Sequence, residues 1–204
     1  MKKIITISRQ YGSGGREIGK RLANQLNIPF YDNELIERAA KESGLSKEAF
    51  ENAENKATNS LIYSIAMGMN AYGNQELGFA HLSLDDRIYL VQTEVIRKVA
   101  KEGPCVIVGR CADYVLKELP DVISIFIWAS MEFRVDRATK LYGLSSSKAE
   151  ESITKIDKRR ANYYNYHANE KWGKAENYHL SIRSDSIGLE HCVDCIKQYV
   201  EHAL

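Results

Sequence analysis

The chain has 204 residues, which is enough for one α/β domain that carries an inserted segment. Its 28 basic and 27 acidic side chains give a formal net charge of +1, so no overall field draws the protein to nucleic acid or to a membrane surface. No apolar stretch approaches the length of a membrane-spanning helix, and the first predicted strand leaves no room for a signal peptide. We therefore expect a cytoplasmic protein whose partners are small molecules, with no nucleic acid and no membrane among them.

A glycine-rich segment near the N-terminus lies between a predicted strand and a predicted helix. The run 4–7 is mostly apolar and suits a buried strand, and apolar residues recur at helical spacing over 18–26. The turn between them consists chiefly of Gly12, Ser13, Gly14, Gly15, Arg16 and Glu17. Backbone without Cβ can curl around an anion, toward which the first N–H groups of the helix point. The pattern predicts a phosphate-binding loop, and a purely structural turn is the alternative.

This loop differs from the standard nucleotide-binding P-loop, which reads Gly, any four residues, Gly, Lys and then Ser or Thr. With the second glycine on Gly15, the lysine position falls on Arg16 and the hydroxyl position on Glu17. Arg16 retains a permanent cation for phosphate oxygens. Glu17 offers a carboxylate, which is itself a magnesium ligand. We expect Arg16 to replace the lysine, with Glu17 as the metal-binding residue.

The remaining apolar runs predict a parallel sheet. Short runs rich in β-branched and aromatic residues indicate further strands at 29–31, 105–108, 122–127 and 178–182. Helical periodicity indicates helices at 34–43, from 46, around 61–70, at 88–99, after each of the two middle strands and from 189 onward, with an irregular loop at 71–83. Five strands alternating with helices predict a single α/β domain over 1–204, built on a five-stranded parallel sheet flanked by helices, with 33–83 as an insert.

Charged residues follow the ends of several predicted strands. Ligands bind at the carboxyl ends of parallel strands, so these positions are candidates for a binding site. They are Asp32 with Arg38, Gly109 with Arg110, and Arg134 with Arg137. Farther along the chain, Asp157 and Arg160 share a helix face. Each taken singly is an ordinary solvated charge, but their repeated position after strands favours a functional role.

A second basic cluster occupies 155–160 and is followed by aromatic residues over 163–172. Helical spacing of apolar residues continues into this cluster, which favours a mobile helical lid over about 134–165. A plain solvated helix is one alternative, and a surface that stacks the bases of single-stranded nucleic acid is another. A lid that carries arginines would exclude water and bring positive charge onto a transferring phosphoryl group.

Four blocks of this sequence together resemble the cytidylate kinase-like branch of the P-loop nucleoside monophosphate kinases. The blocks are the glycine loop and the segments 106–113, 129–137 and 156–160. The resemblance covers nearly the whole chain, and the order and spacing of the blocks carry it. It implies a three-layer P-loop NTPase-type fold with a mobile helical lid. It further implies transfer of the γ-phosphoryl group of ATP, with Mg2+, to a nucleoside monophosphate, foremost CMP or dCMP.

The same resemblance implies which residues hold the two substrates. The loop 12–17 would cradle the donor phosphates, and Asp185, in the turn after the last strand, would face the donor nucleotide. The acceptor would be bound by Gly109, Arg110 and Arg38. Asp32 would lie at the acceptor entrance, where it is a weak candidate for a general base.

The lid would supply further cations. Arg134 and Arg137 would lie at its start, and its returning arm would carry Asp157, Lys158, Arg159 and Arg160. Of these, Asp157, Arg159 and Arg160 would reach the substrate. The catalytic charges would come from Arg16, Arg110, Arg134, Arg137 and Arg160.

Two positions depart from the family pattern and leave the acceptor open. The middle block of cytidylate kinases usually reads Asp-Gly-Arg-Asp, whereas Val108 and Cys111 occupy the two aspartate positions of this chain. This change favours a second hypothesis, a kinase of another small molecule. The altered glycine loop favours a third, a nucleotide-binding regulator without turnover. The sequence gives no indication of the oligomeric state.

Overall fold

The computed structural model describes residues 3–32, Arg38 and residues 83–203. The helices predicted at 34–43, from 46 and around 61–70 lie outside the described residues, as does the predicted loop up to residue 82. The insert expected at 33–83 is therefore represented only by Arg38 and Ser83. Within the described ranges, no helix combines the length and the apolar character needed to cross a membrane.

Strands and helices alternate along the described chain. The strands are β1 (Ile4–Arg9), β2 (Phe30–Tyr31), β3 (Cys105–Val108), β4 (Val122–Trp128) and β5 (Leu180–Arg183). The helices are α1 (Gly15–Leu26), α2 (Leu84–Glu102), α3 (Ala112–Val115), α4 (Met131–Tyr142), α5 (Ser146–Ala168), α6 (Ser184–Ile187) and α7 (Leu189–His202). A short 3-10 helix, Ala175–Asn177, precedes β5.

All five strands are parallel and lie in the order β2-β3-β1-β4-β5. The central strand β1 pairs with β3 from Ile4 to Ile7, and with β4 along its whole length up to Arg9, which lies opposite Ile127. Parallel strands all end at the same edge of the sheet, which we call the carboxyl rim. The predicted five-stranded parallel sheet flanked by helices is confirmed.

Apolar side chains bury both faces of the sheet. On one face, the cluster with α2 and α3 includes Ile4, Ile88, Ile96, Ile107 and Leu116. On the other face, the cluster with α1 and α7 includes Ile5, Ile18, Leu22, Val106, Ile125 and Ile196. Burial of each such side chain contributes roughly 1.5–3 kcal/mol, so these two layers hold the strand ends of the carboxyl rim in place.

The helix that follows β4 has clear sequence signals at both ends. The Ser130 hydroxyl accepts a hydrogen bond from the N–H of Phe133 at 3.4 Å and caps the first turn of α4. Gly143 ends α4 in the left-handed conformation, with φ 67°. The residues 143–145 then connect to α5, so the segment expected to form a lid consists largely of two helices. Whether it moves stays a prediction.

Strand β5 begins two residues later than the predicted range 178–182 and ends one residue later. Tyr178 has the β-propensity that extended the prediction, but its N–H donates to the carbonyl of Ala175 at 3.2 Å and closes the 3-10 helix. Its ring lies 5.0 Å from that of Phe126, between centroids. Packing of this ring beside the sheet therefore overrides its propensity for the strand.

Two of the aromatic residues after the basic cluster belong to the core, whereas Tyr166 is exposed. Tyr163 and Tyr164 are buried in a small cluster with Cys111 and Ala168. The Tyr163 hydroxyl donates to Oε1 of Gln92 at 3.1 Å. Buried rings cannot stack on nucleotide bases, so these two tyrosines give no support to the nucleic-acid alternative.

A carboxylate is buried beneath the carboxyl rim on the α3 side. Asp113 is 6% exposed, and Ser8 at the end of β1 donates to its Oδ1 at 3.5 Å. Its Oδ2 has no hydrogen-bond partner among the described residues. Burial raises the pKa of Asp113 to about 6, because the charged form loses its hydration.

This burial predicts a pH-dependent stability. An acid whose pKa is raised on folding binds more protons in the folded state, so its contribution to stability falls as the pH rises from about 4 to about 6. The Asp113→Asn variant lacks this loss. We expect its Tm, relative to that of the native chain, to increase between pH 4.5 and pH 7 by an amount equivalent to roughly 1–3 kcal/mol.

Thermal unfolding of both proteins across this pH range measures the difference. Asp121→Asn is the control, since that carboxylate is 56% exposed. A Tm difference between Asp113→Asn and the native chain that stays constant with pH would contradict the prediction.

Candidate active site

The glycine-rich loop connects β1 to α1 at the carboxyl rim. Gly12 and Gly14 have φ values of 78° and 81°, a conformation that is easy only for glycine. Gly14 caps α1, and Gly15 is the first helical residue. The first N–H groups of α1 and the positive end of its dipole therefore lie directly behind the loop, which is an arrangement that binds anions.

Hydrogen bonds from two neighbouring segments fix this loop. The N–H of Gln10 donates to the carbonyl of Ile127 at 3.0 Å, and its side-chain Oε1 accepts from the N–H of Ala129 at 3.2 Å. From the turn after β5, the buried Ser184 hydroxyl donates to the carbonyl of Ser13 at 2.6 Å. The loop is thus held to the ends of β4 and β5.

Close packing is as good a reason as anion binding for the presence of glycine at positions 12 and 14. A Cβ placed on Gly12 would lie 2.8 Å from the carbonyl oxygen of Arg134, and one on Gly14 would lie 2.5 Å from Cδ2 of Leu189. The loop therefore lies directly against α4 and α7. The structure confirms the tight turn, and phosphate binding by the same backbone stays a prediction.

Glu17, in the first turn of α1, lies between two arginines. Arg137 of α4 donates to its Oε2 at 2.8 Å, and Arg21 donates to its Oε1 at 2.6 Å. Partial burial alone would raise the pKa of Glu17, but the hydrogen bonds from Arg137 and Arg21 hold it below its ordinary value. The carboxylate thus compensates the charge of Arg137, which is largely buried, at the edge of the loop.

This environment does not fit a magnesium ligand. Two guanidinium groups already take both oxygens of Glu17, and their charges oppose a further cation. In the part of the chain that the structure describes, no group of three or more His, Cys, Asp or Glu side chains is arranged to hold a metal ion. The metal role of Glu17 stays a prediction, and no step of the chemistry below depends on it.

Arg16 and Asp32 form an ion pair across the rim. The Nε of Arg16 donates to Oδ2 of Asp32, which lies just after β2. The Asp32 side chain is only 7% exposed, whereas that of Arg16 is 59% exposed. The hydrogen bond to Asp32 raises the pKa of Arg16. The structure therefore pairs Arg16 with the β2 side of the rim, where the acceptor is expected.

Asp157 of α5 connects the lid segment to the loop. Its Oδ1 accepts from the backbone N–H of Tyr11 at 2.7 Å, and its Oδ2 accepts from Arg134 of α4. Arg160, one turn later, donates to the carbonyl of Arg9 at 3.2 Å, and its guanidinium carbon lies 5.5 Å from the centre of the Tyr11 ring. Burial raises the pKa of Asp157, against the opposing effects of the Tyr11 N–H and the two arginines.

The end of β3 has an unusual backbone. Gly109, Arg110 and Cys111 have consecutive φ values of 78°, 59° and 54°. Left-handed conformation costs a non-glycine residue about 1 kcal/mol or more, and such strain is concentrated at functional sites. The strained turn places the backbone of Arg110 directly after β3, at the carboxyl rim. Val108 and Cys111, on either side of Gly109 and Arg110, are both buried.

Two of the predicted acceptor-binding residues lie apart from this group. Arg38 donates to Oε1 of Glu102 at 3.1 Å, and Glu102 ends the helix that leads into β3, at the opposite edge of the sheet. Its guanidinium carbon also lies 5.2 Å from the centre of the Tyr31 ring, so Arg38 is held on the β2 side between Tyr31 and Glu102. Arg159 is on the exposed side of α5, away from the buried face that carries Tyr163. Both substrate-binding roles stay predictions.

Asp185 lies in the first turn of α6, next to the residue that anchors the loop. Arg183 donates two hydrogen bonds of 3.0 Å to it, and these lower the pKa of Asp185. Asp185 also lines an open cavity of about 910 Å³ between α4 and α5, together with Ser130, Met131, Phe133, Thr139 and Ser146. Asp185 follows Ser184, whose hydroxyl donates to the carbonyl of Ser13, so α6 connects this cavity to the loop.

Sequence reasoning missed several residues of the rim. Gln10 and Ser184 shape the loop, Tyr11 contacts both Asp157 and Arg160, and Arg9 lies under the strained turn at Gly109. Gln10, Tyr11 and Arg9 lie within or directly before the glycine segment, a position that marks them as candidates. Ser184 had a weaker signal, a small polar residue directly after a predicted strand.

Comparison with solved structures supports the fold. The chain is 28% identical to an uncharacterized protein from Eubacterium ventriosum, with a TM-score of 0.74 and coverage of 98% of this chain and 99% of that one. It is also similar to shikimate kinase from Bacteroides thetaiotaomicron, with 13% identity, a TM-score of 0.55 and coverage of 98% and 99%. A gluconokinase from Sinorhizobium meliloti matches with 13% identity, a TM-score of 0.51 and coverage of 98% and 92%. These likenesses confirm the three-layer P-loop kinase fold.

No curated protein sequence matches the chain. The sequence profile of the cytidylate kinase-like family, by contrast, matches residues 4–186, which include β1, the glycine loop, the strained turn, the lid segment and Asp185. The chain therefore belongs to the cytidylate kinase-like family.

Proposed function

We propose that this protein is an ATP-dependent phosphotransferase that transfers the γ-phosphoryl group of ATP to a nucleoside monophosphate, with CMP or dCMP as the first candidates. The observation that carries the proposal is the contact between the lid segment and the glycine loop. Arg134 and Arg137 of α4 and Arg160 of α5 all reach the surroundings of the loop. Phosphoryl transfer needs such cations around a phosphate cradle, because its catalysis is chiefly positioning and charge stabilisation.

The loop and the cavity beside it suit the donor. The triphosphate of ATP would lie against the N–H groups of the loop and of the start of α1. The cavity of about 910 Å³ lined by Asp185, Met131 and Phe133 has room for the nucleoside. Mg2+ would enter as a part of the ATP substrate.

Two ion pairs hold the lid arginines at the rim. Arg137 is held by Glu17, and Arg134 is held by Asp157. The Nε atoms of Arg134 and Arg137 are buried without a hydrogen-bond partner among the described residues, and unmet buried donors are costly. Phosphate oxygens would accept from these guanidinium groups when a small movement of the lid opens the pairs.

Arg110 and Arg16 suit the acceptor side. Arg110 extends from the strained turn after β3, and Arg16 reaches toward Asp32 after β2. In the reaction, the acceptor oxygen forms a bond to the γ-phosphorus while the bond to the β,γ-bridging oxygen breaks. Asp32, buried beside Arg16, is the candidate that accepts the acceptor proton.

A second candidate function has its own support. Val108 and Cys111 are buried and offer no carboxylate at the end of β3, where a cytidylate kinase would have two. A kinase of a different small molecule would not need these contacts.

An ADP-release assay separates the candidates. Purified protein is incubated with ATP and Mg2+ and with CMP, dCMP, UMP, AMP or a series of small alcohols and sugar acids. Our proposal predicts that turnover with CMP or dCMP exceeds turnover with every other acceptor by at least tenfold. Turnover confined to a non-nucleotide would support the second candidate, and ATP binding without any turnover would support a regulator.

A charge-removal variant tests the role of the lid. Arg137→Gln keeps the first three carbons of the side chain and a polar end, but it shortens the side chain and removes its charge. We expect kcat to fall at least a hundredfold, because arginines that act on the transferring group commonly contribute that much or more. The Michaelis constant for ATP should change less than kcat.

The matched control is Lys140→Gln, on the same helix. Its side chain is 70% exposed and pairs only locally with Asp136, at 2.7 Å. Its kcat should stay within twofold of that of the native chain. An equal loss in the two variants would mean that α4 contributes only general charge or stability.

A further inference from the structure

Arg9 is the last residue of β1 and stands directly before the glycine loop. It pairs with Ile127 of β4 in the sheet, and its carbonyl accepts a hydrogen bond from Arg160. Its side chain is partly buried. A cation at the carboxyl end of the central strand lies where ligands of open parallel sheets bind.

Two glycines make room for this side chain. A Cβ placed on Gly15 would lie 2.6 Å from Cβ and 3.1 Å from Cγ of Arg9. A Cβ placed on Gly109 would lie 2.3 Å from Nη1 and 3.1 Å from Cζ of Arg9. The stem of Arg9 therefore runs along the first residue of α1, and its guanidinium group lies against the turn after β3. The side chain of Arg9 thus lies between the first residue of α1 and the turn that carries Arg110.

The start of α1 gives a second way to register the loop with the P-loop pattern. In that pattern the second glycine precedes the lysine, and the lysine lies at the helix start. Here Gly14 caps the helix and Gly15 is its first residue. With Gly14 as the second glycine, the lysine position falls on Gly15 and the first glycine position, five residues earlier, falls on Arg9. In this register an arginine, Arg9, occupies the position of the first glycine, and a glycine, Gly15, occupies the position of the lysine.

We infer that Arg9 supplies the cation that a lysine on the loop supplies in the standard pattern, and that its guanidinium group binds the β- and γ-phosphates of ATP. The inference rests on the proposed function and names a residue that acts in it. Gly15 lacks the side chain that would otherwise fill this space, and Arg16, the other candidate, is turned to Asp32. The planar guanidinium group of Arg9, although it starts from β1 and not from the loop, has the geometry to bind two phosphate oxygens at once.

A purely structural role for Arg9 makes different predictions. If its stem served only to pack against Gly15, an uncharged side chain that keeps the same first three carbons, such as glutamine, would preserve nucleotide binding. If its charge acts on the terminal phosphates, the loss must be largest for ATP, smaller for ADP and small for AMP. Binding of the nucleotides alone is measured, so the test does not depend on knowing the acceptor.

The first experiment is calorimetric titration of MgATP, MgADP and AMP into the native chain and into Arg9→Gln, Arg9→Lys, Arg16→Gln and Lys20→Gln, each checked for an unchanged Tm. We expect Arg9→Gln to weaken ATP binding at least tenfold, with Arg9→Lys intermediate. Arg16→Gln should weaken it less than Arg9→Gln does. Lys20→Gln, an exposed position on α1, should match the native chain.

The second experiment restores the standard pattern. Arg9→Gly should lose ATP affinity, and the double variant Arg9→Gly with Gly15→Lys should recover at least part of it, because a lysine at 15 then enters the space that Arg9 has left. Gly15→Lys alone should be destabilised by collision with Arg9. Recovery of ATP affinity in the double variant tests the role of Arg9 even if one of the single variants folds poorly.

The outcomes separate this inference from the proposed function. ATP binding by the native chain that is unchanged in Arg9→Gln would overturn the role of Arg9 and leave the kinase proposal standing. A larger loss in Arg16→Gln than in Arg9→Gln would return the lysine role to Arg16. No ATP binding by the folded native chain would overturn both proposals.

Discussion

The position of β1 between β3 and β4 is the constraint on which the rest of the site depends. Because it pairs with both neighbours, its end, the strained turn after β3 and the capped start of α4 meet at one edge. The hydrogen bonds of Gln10 to the end of β4 then fix the loop in that position. Neither the loop nor the lid segment would be correctly placed without this three-strand centre, since their residues are more than a hundred positions apart in the sequence.

Charge compensation is the second organising principle of the rim. Arginines are paired with Glu17, Asp32 and Asp157, so positive charge gathers at one place without large repulsion. Each carboxylate also joins two segments: Glu17 joins α1 to α4, Asp32 joins β2 to α1, and Asp157 joins α5 to the loop. A phosphate ligand would compete with these carboxylates for the same donors, which couples ligand binding to the arrangement of the lid.

Much of the framework was predictable because its signals are local. The buried strands have continuous β-branched runs, and α4 is bounded by Ser130 and Gly143. The prediction failed in detail at β5, where Tyr178 packs its ring on Phe126 and starts no strand. It also treated Tyr163 and Tyr164 as candidates for a surface, although contacts with Cys111, some fifty residues away, bury them. Residue propensities and the spacing of apolar residues are local, so they contain no information about contacts with residues far away in the sequence.

The sequence by itself determined the parallel α/β architecture, the glycine loop after β1 and the accumulation of arginines after strand ends, because each follows from local periodicity or from the rule that strand ends form the ligand edge. Only the tertiary structure decided how those arginines are used. It paired Arg16 with Asp32, held Arg38 on Glu102 and ran Arg9 between Gly15 and Gly109. Side-chain direction depends on which partners and which gaps the fold brings together, and a linear pattern contains neither.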